Sequence, residues 1–328
     1  MRVIDGSKVC VVGGAGFLGS HLVDHLIEDR QCRVLVLDNL CVGRKEFIHP
    51  KAEFIHCDIT GSEEFLRHAF QSRKIQYVFN YAAWPYIPDS FERPMQVFSV
   101  NAVGAIKVIN AAQEADCEGI LQVSSAELYG DWGADSLIRL QARIDEDVPV
   151  SPHSTYGAAK AAVDFYCQCA GRERDTPVIA LRQFNCVGER ETHPYVIPEI
   201  ISQLYRGHVV QLGNNSFRDF QYAGDAVRMA VELLERGQFG EVYNMGSEEG
   251  VKIYDLAVML GNLMGWGRER PVVIQTDPNR VRPWEIWHLQ SDNSKLYRTI
   301  DYRPQMSLDE ALNRTVDYFN LNNHNWGW

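Results

Sequence analysis

Tyr156 and Lys160 stand four positions apart in Tyr156-Gly157-Ala158-Ala159-Lys160, so a helix sets the phenol and the ammonium on one face. A phenol titrates near ~10 in water, too high for a base at neutral pH. A neighbouring ammonium and the positive ring of a nicotinamide favour the phenolate and bring it into range. Such a couple can take the proton from an alcohol that is losing hydride. Alone the pair says little, because tyrosine and lysine meet at this spacing on many helices. Its meaning depends on a dinucleotide site upstream and a polar strand end beside the tyrosine.

The dinucleotide site is legible. The apolar run Val9-Cys10-Val11-Val12 ends in Gly13-Gly14-Ala15-Gly16-Phe17-Leu18-Gly19-Ser20, and a helical pattern begins at once with His21 to Ile27. Gly14, Gly16 and Gly19 satisfy G-x-G-x-x-G between a strand and a helix. Gly13 and Gly14 can make the turn, Gly16 admits a phosphate to the helix N-terminus, and Gly19 lets helix pack on strand. A second apolar run, Arg33 to Leu37, closes on Asp38, 22 positions after Gly16. An acid there accepts hydrogen bonds from the adenosine ribose of NAD and repels the 2′-phosphate of NADP. Arg44 raises the NADP alternative, but Asp38 outweighs it.

The remaining chain supplies the positioning elements. Strands are expected at 54–59, 75–80, 119–123 and 178–182, and helices at 62–72, 94–115 and 156–172. Asp58 is placed to contact the adenine, and Asn80-Tyr81-Ala82-Ala83 forms a small-residue turn at the carboxyl edge of the sheet. This alternation predicts an α/β fold, a Rossmann-type doubly wound parallel sheet. Past residue 182 the rhythm breaks into short strands, prolines and aromatics. The expected division is residues 1–182, with a return at about 222–245, as the NAD-binding domain. Residues 183–221 and 246–328 then form a smaller mixed α/β substrate domain. The polar stretch 131–149 reads as an active-site loop with some helix, and no function is read from the tail 322–328.

Composition narrows the partners. A net charge of −11 over 328 residues, with no basic block, argues against a nucleic-acid surface, so an anionic substrate needs a local cluster of arginines. No run of 18 apolar residues predicts a membrane span. The first strand comes soon after Met1, leaving no room for a signal peptide. Eight cysteines without a C-x-x-C read as reduced thiols, and a cytoplasmic location is expected.

With these features combined, the chain resembles the extended short-chain dehydrogenase/reductases, in their nucleotide-sugar epimerase/dehydratase branch. The matching residues are Gly13 to Gly19, Asp38, Asn80 to Ala83, Asn101, Ser124 to Gly130, Tyr156 to Lys160 and Arg182-Gln183-Phe184-Asn185. The resemblance spans nearly the whole chain. It implies a sugar linked to a nucleoside diphosphate as substrate and NAD as cofactor. The cofactor would be held by Gly13, Gly16, Phe17, Leu18, Gly19, Asp38, Asn39, Asp58, Ile59, Ala82, Ala83 and Asn101, with Tyr156 and Lys160. Tyr156 would remove the proton of the sugar 4-hydroxyl while Ser125 hydrogen-bonds that oxygen. Asn185, Arg218 (in Phe217-Arg218-Asp219-Phe220) and Arg282 match positions that contact the diphosphate. The resemblance also implies a homodimer joined by two helices, with small residues at Ala102 to Ala112 and Ala158 to Ala170.

The fate of the oxidised sugar depends on Glu127, which matches the base that removes the C5 proton in related dehydratases. The leading expectation is therefore NAD-dependent 4,6-dehydration. Alternatives are 4-epimerisation through the same ketone, decarboxylation of a nucleotide uronic acid, and a non-catalytic NAD-sensing protein. Two departures from the GDP-mannose 4,6-dehydratase pattern stand out. Ala126 replaces an Asp or Ser, removing a direct acid for the leaving hydroxyl. Asp38 points to NAD where those enzymes favour NADP.

Overall fold

The computed structural model describes residues 2–132, 143–191, 195–267, 269–282 and 284–322. The inner part of the expected loop, 133–142, and the tail from 323 lie outside the described residues. The strands are β1 Lys8–Val12, β2 Arg33–Asp38, β3 Glu53–His56, β4 Tyr77–Asn80, β5 Gly119–Val123, β6 Val178–Gln183, β7 Asn185–Val187, β8 Val209–Leu212, β9 Phe217–Tyr222, β10 Val242–Met245, β11 Gly250–Lys252, β12 Val273–Thr276 and β13 His288–Leu289.

Seven of them form one parallel sheet in the order β10-β6-β5-β4-β1-β2-β3. Its strands are apolar along their length because helices cover both faces. Side chains alternate between two cores. Val9, Val11, Val34, Val36 and Phe79 point into one, while Cys10, Val12, Leu35, Leu37 and Val78 point into the other. The first core is closed by helices Phe17–Glu28 and Ala223–Arg236, the second by Glu63–Arg73 and Pro94–Glu114.

The helix Pro94–Glu114 is long and apolar enough by composition to cross a membrane, but half of its apolar window is buried in the protein. It packs against helices Glu63–Arg73 and Thr155–Arg174, and it contains a π-helical stretch at Ser99–Gly104.

After β6 the chain leaves this sheet. β7, β9, β11 and β13 form a small sheet, and β8 pairs with β12. Helices Val196–Arg206, Ile253–Leu263 and Leu308–Leu321 bury Ile197, Ile200, Leu256, Leu260, Leu312 and Phe319 in a separate apolar cluster. The chain returns to the large sheet through helix Ala223–Arg236 and β10. The short helix Ser294–Thr299 also joins the large-sheet core, through Leu296 and Ile300. Buried Asp219 fastens the small sheet: Oδ1 accepts from the Ser247 amide (2.6 Å) and hydroxyl (2.7 Å), and Oδ2 accepts from the Ser291 amide (2.9 Å) and hydroxyl (2.6 Å).

Candidate active site

β1 and β4 are adjacent, and the crossovers that leave them run in opposite directions. Their carboxyl ends are thus the topological switch point of the sheet, where such folds open a crevice. Here Gly13 has φ +80°, and a Cβ on it would lie 2.5 Å from the amide nitrogen of Ala82. A Cβ on Gly19 would lie 2.1 Å from the Gly13 carbonyl oxygen. The loop after β1 can close on its helix, and on the turn after β4, only without these side chains. The helix Phe17–Glu28 begins at Gly16 with no side chain capping it and no acid in its first turn. Its free N–H groups and dipole thus remain available to an anion.

A cavity of about 750 Å³ opens over this switch point. Its walls include Gly13, Gly16, Phe17, Leu18, Gly19, Asp38, Asn39, Asp58, Ile59, Ala82 and Ala83 on the side of the large sheet. Ser125, Glu127, Tyr156, Lys160, Asn185, Arg218 and Arg282 continue the same cavity. Residues up to 269 apart in the chain thus share one space.

Asn101 does not share it. Its carboxamide is buried in the π-helical stretch, where Oδ1 accepts from the Trp84 amide (3.1 Å) and Nδ2 donates to the carbonyls of Trp84 (3.0 Å) and Val97 (2.9 Å). All of its polar groups are engaged with backbone. Asn101 therefore positions the turn after Ala82-Ala83 and does not reach the cavity.

Asp38 ends β2, and its Oδ2 accepts from the Ala15 amide (3.0 Å) while Oδ1 accepts from the Leu40 amide (2.8 Å). Burial raises its pKa against these two bonds. Each oxygen keeps a further lone pair, so the carboxylate can tie down the glycine loop and still accept from a ribose. Arg44 faces Glu46 (3.4 Å) and lies outside the cavity walls. The uncapped helix start, the glycine cradle and this acceptor fit NAD.

Beside the cofactor region, the helix Thr155–Arg174 starts under the Ser154 N-cap, whose Oγ accepts from the Gly157 amide (3.0 Å). A Cβ at Gly157 would lie 2.9 Å from the Glu127 carbonyl, so glycine there lets the helix meet the turn Ala126–Tyr129. Ser125 caps that turn, accepting from the Glu127 amide (3.2 Å), and its hydroxyl stands close enough to the Tyr156 phenol to favour the phenolate. Lys160 is buried and its Nζ donates to the Val123 carbonyl (3.0 Å) at the end of β5. A buried ion pair locks the helix to β6: Arg182 Nε and its terminal nitrogen donate to the two oxygens of Asp164 (3.0 and 2.9 Å). The same guanidinium donates to the Tyr129 hydroxyl (2.8 Å), which donates to Asn244 Oδ1 (2.7 Å).

Burial pushes the Tyr156 phenol up to about 12; the Ser125 hydrogen bond opposes this and the nearby Glu127 charge adds to it. Lys160, its Nζ 5.9 Å from the phenol ring centre, is itself pulled down to about 8 by burial. Desolvation is the dominant influence on both groups. Burial also raises Glu127 above the usual carboxylate range, with Arg282 and Arg218 working against it.

Arg218 and Arg282 converge as expected, but on an acid that sequence reasoning left without a role. Arg218 donates to Glu285 Oε1 (2.9 Å), and Arg282 lies 3.9 Å from the same oxygen. Asn214 Nδ2 donates to Glu285 Oε2 (2.6 Å). Glu285 thus holds two guanidiniums side by side at the cavity wall, a geometry suited to bidentate contact with phosphate. Its only sequence signal was its place in Arg282-Pro283-Trp284-Glu285-Ile286.

Comparison with known proteins agrees with this geometry. Residues 9–246 match the model of the NAD dependent epimerase/dehydratase family. A dTDP-D-glucose 4,6-dehydratase of Mus musculus is 30% identical over 97% of this chain and 90% of its own length. A putative UDP-glucose 4-epimerase of Methanocaldococcus jannaschii is 28% identical over 96% and 99%. Among solved structures, the dTDP-glucose 4,6-dehydratase DesIV of Streptomyces venezuelae, with NAD bound, superposes with a TM-score of 0.87 at 26% identity, covering 98% of this chain and 99% of that one. The UDP-glucose 4-epimerase of Thermotoga maritima, with UDP-glucose, gives 0.85 at 28% identity, covering 96% and 99%. With the family match running from β1 to the loop after β10, and the relatives aligned along nearly the whole chain, this protein is an NAD-dependent enzyme of the epimerase/dehydratase family.

Proposed function

We propose that the protein is a nucleotide-sugar 4,6-dehydratase acting through a 4-keto sugar. NAD held over the large sheet would accept hydride from C4 of the sugar, and its positive ring would favour the phenolate. Tyr156 takes the proton of the 4-hydroxyl, Ser125 hydrogen-bonds the same oxygen, and Lys160 holds the strand end beside them. The sugar lies between this trio and the second part of the chain, where Asn185, Arg218 and Arg282 hold the diphosphate. The observation that carries dehydration is Glu127. It is a carboxylate with a burial-raised pKa beside Tyr156, in the same cavity, and a raised pKa makes it a stronger base for the C5 proton that the ketone acidifies.

One observation favours a second reading, 4-epimerisation. Ala126, buried beside Ser125, offers no acid to the leaving hydroxyl. The two readings separate on product mass and label. The protein is to be incubated with UDP-, GDP-, dTDP- and CDP-sugars in deuterated water. Dehydration gives a product lighter by one water, with a solvent deuteron at C5. An unchanged mass with no deuterium at C5 would mean epimerisation, and loss of carbon dioxide would mean decarboxylation.

The assembly we propose is a homodimer through helices Pro94–Glu114 and Thr155–Arg174. Met95 is 77% exposed, Phe165 50% and Val103 45%, apolar side chains that these two helices leave in water. Phe165→Glu is expected to convert a dimer into a monomer in sedimentation at micromolar concentration. A wild-type monomer would refute the assembly.

A further inference from the structure

Glu191 lies in the segment between β7 and the helix Val196–Arg206, only 5% exposed, and it lines the active-site cavity. Its Oε2 is fully buried and has no hydrogen-bond partner among the described residues. Buried carboxyl oxygens are nearly always partnered, so the partner of this one is to be sought in what fills the cavity. Its surroundings indicate which part of the ligand that is. Tyr195, which precedes the helix Val196–Arg206, lines the same cavity and feels the charges of Tyr156, Glu191 and Tyr86, which line it too. Tyr86 in turn feels Arg282 and Arg280 from the second part of the chain. Glu191 therefore shares with Tyr156, Arg218 and Arg282 the cavity in which the sugar of a nucleotide sugar must lie.

We propose that Glu191 is a specificity-determining residue whose carboxyl hydrogen-bonds a ring hydroxyl of the substrate's sugar. The proposal rests on the assignment of a nucleotide sugar as substrate. A hydroxyl suits the position because it both donates and accepts. Burial raises the Glu191 carboxyl above the ordinary carboxylate pKa, and a carboxyl group accepts from a hydroxyl in either protonation state and donates to it when protonated.

The test uses the NAD-loaded protein with UDP-glucose and dTDP-glucose, their 2-deoxy and 3-deoxy analogues, which keep the reacting 4-hydroxyl, and the sugar-free nucleotides UDP and dTDP. Glu191→Leu should lower kcat/KM for the accepted sugar nucleotide by about 10- to 100-fold, the usual worth of one such hydrogen bond. Its affinity for UDP or dTDP, and its NAD content, should be unchanged. Glu191→Gln, which keeps a donor and an acceptor, should restore most of the activity. One deoxy analogue should be poor for the wild type and no poorer for Glu191→Leu, because the hydroxyl it lacks is the partner. The wild-type analogue series stands even if the leucine variant fails to fold: equal use of every deoxy analogue would overturn the proposal. So would equal weakening of UDP and UDP-sugar binding, loss of NAD from the variant, or leucine and glutamine variants indistinguishable from wild type. Wild-type protein that neither binds nor converts any sugar nucleotide would instead refute the functional reading, and this proposal with it.

Discussion

Tyr156→Phe is expected to give no NADH absorbance on addition of a nucleotide sugar, and turnover should fall by about 10²–10⁴-fold, the usual contribution of a positioned acid–base group. The substitution removes one oxygen and leaves the ring that fills the pocket beside Ser125 and Gly157. In the chain alone, burial holds that phenol at about 12, so at neutral pH the ionised fraction is small and grows with pH. The rate of sugar oxidation should therefore rise with pH through the neutral range in the wild type and be flat in the residual activity of Tyr156→Phe. Lys160→Met should retain some oxidation but shift its rise to higher pH, since an ammonium near the phenolate has been lost. A strong NADH signal in Tyr156→Phe would remove Tyr156 from the proton-abstracting role.

Glu127→Gln should separate oxidation from elimination. The amide keeps the shape of the side chain but cannot take the C5 proton, while Tyr156, Ser125 and Lys160 are untouched. The variant should reduce its bound NAD on mixing with substrate, stall at the 4-keto stage, and lose about 10²–10⁴-fold in overall turnover. The pH profile provides a second readout. A base must be ionised to act, so elimination is complete above the pKa of Glu127 and is lost as pH falls through it. Because burial raises that pKa, the acid limb of the wild-type profile should lie above the ordinary carboxylate range, and it should vanish in Glu127→Gln. Full activity in the variant, with no solvent deuterium at C5, would leave 4-epimerisation as the reaction.

Features that repeat or cluster within a few residues were legible in the chain before it folds. The alternation of Val9, Val11 against Cys10, Val12 prescribes a strand buried on both faces, and the glycines from Gly13 to Gly19 prescribe a turn into an uncapped helix. The spacing of Tyr156 and Lys160 puts both on one helical face, and Asp38 ends its strand at the switch point. These arise from the periods of strand and helix and from backbone sterics, which act locally. Tertiary packing was needed to settle which way Asn101 points, because its partner Trp84 is brought to it by the docking of a loop onto a π-helical stretch. The same packing brought Glu285 to Arg218, 67 positions away, and turned Glu191 into the cavity wall from a polar stretch with no local signature. The electrostatics were settled there too. Tyr156 and Lys160 in sequence, with a nicotinamide ring beside them, predict a favoured phenolate, whereas desolvation depends on everything packed around both groups. Here it raises one to about 12 and lowers the other to about 8.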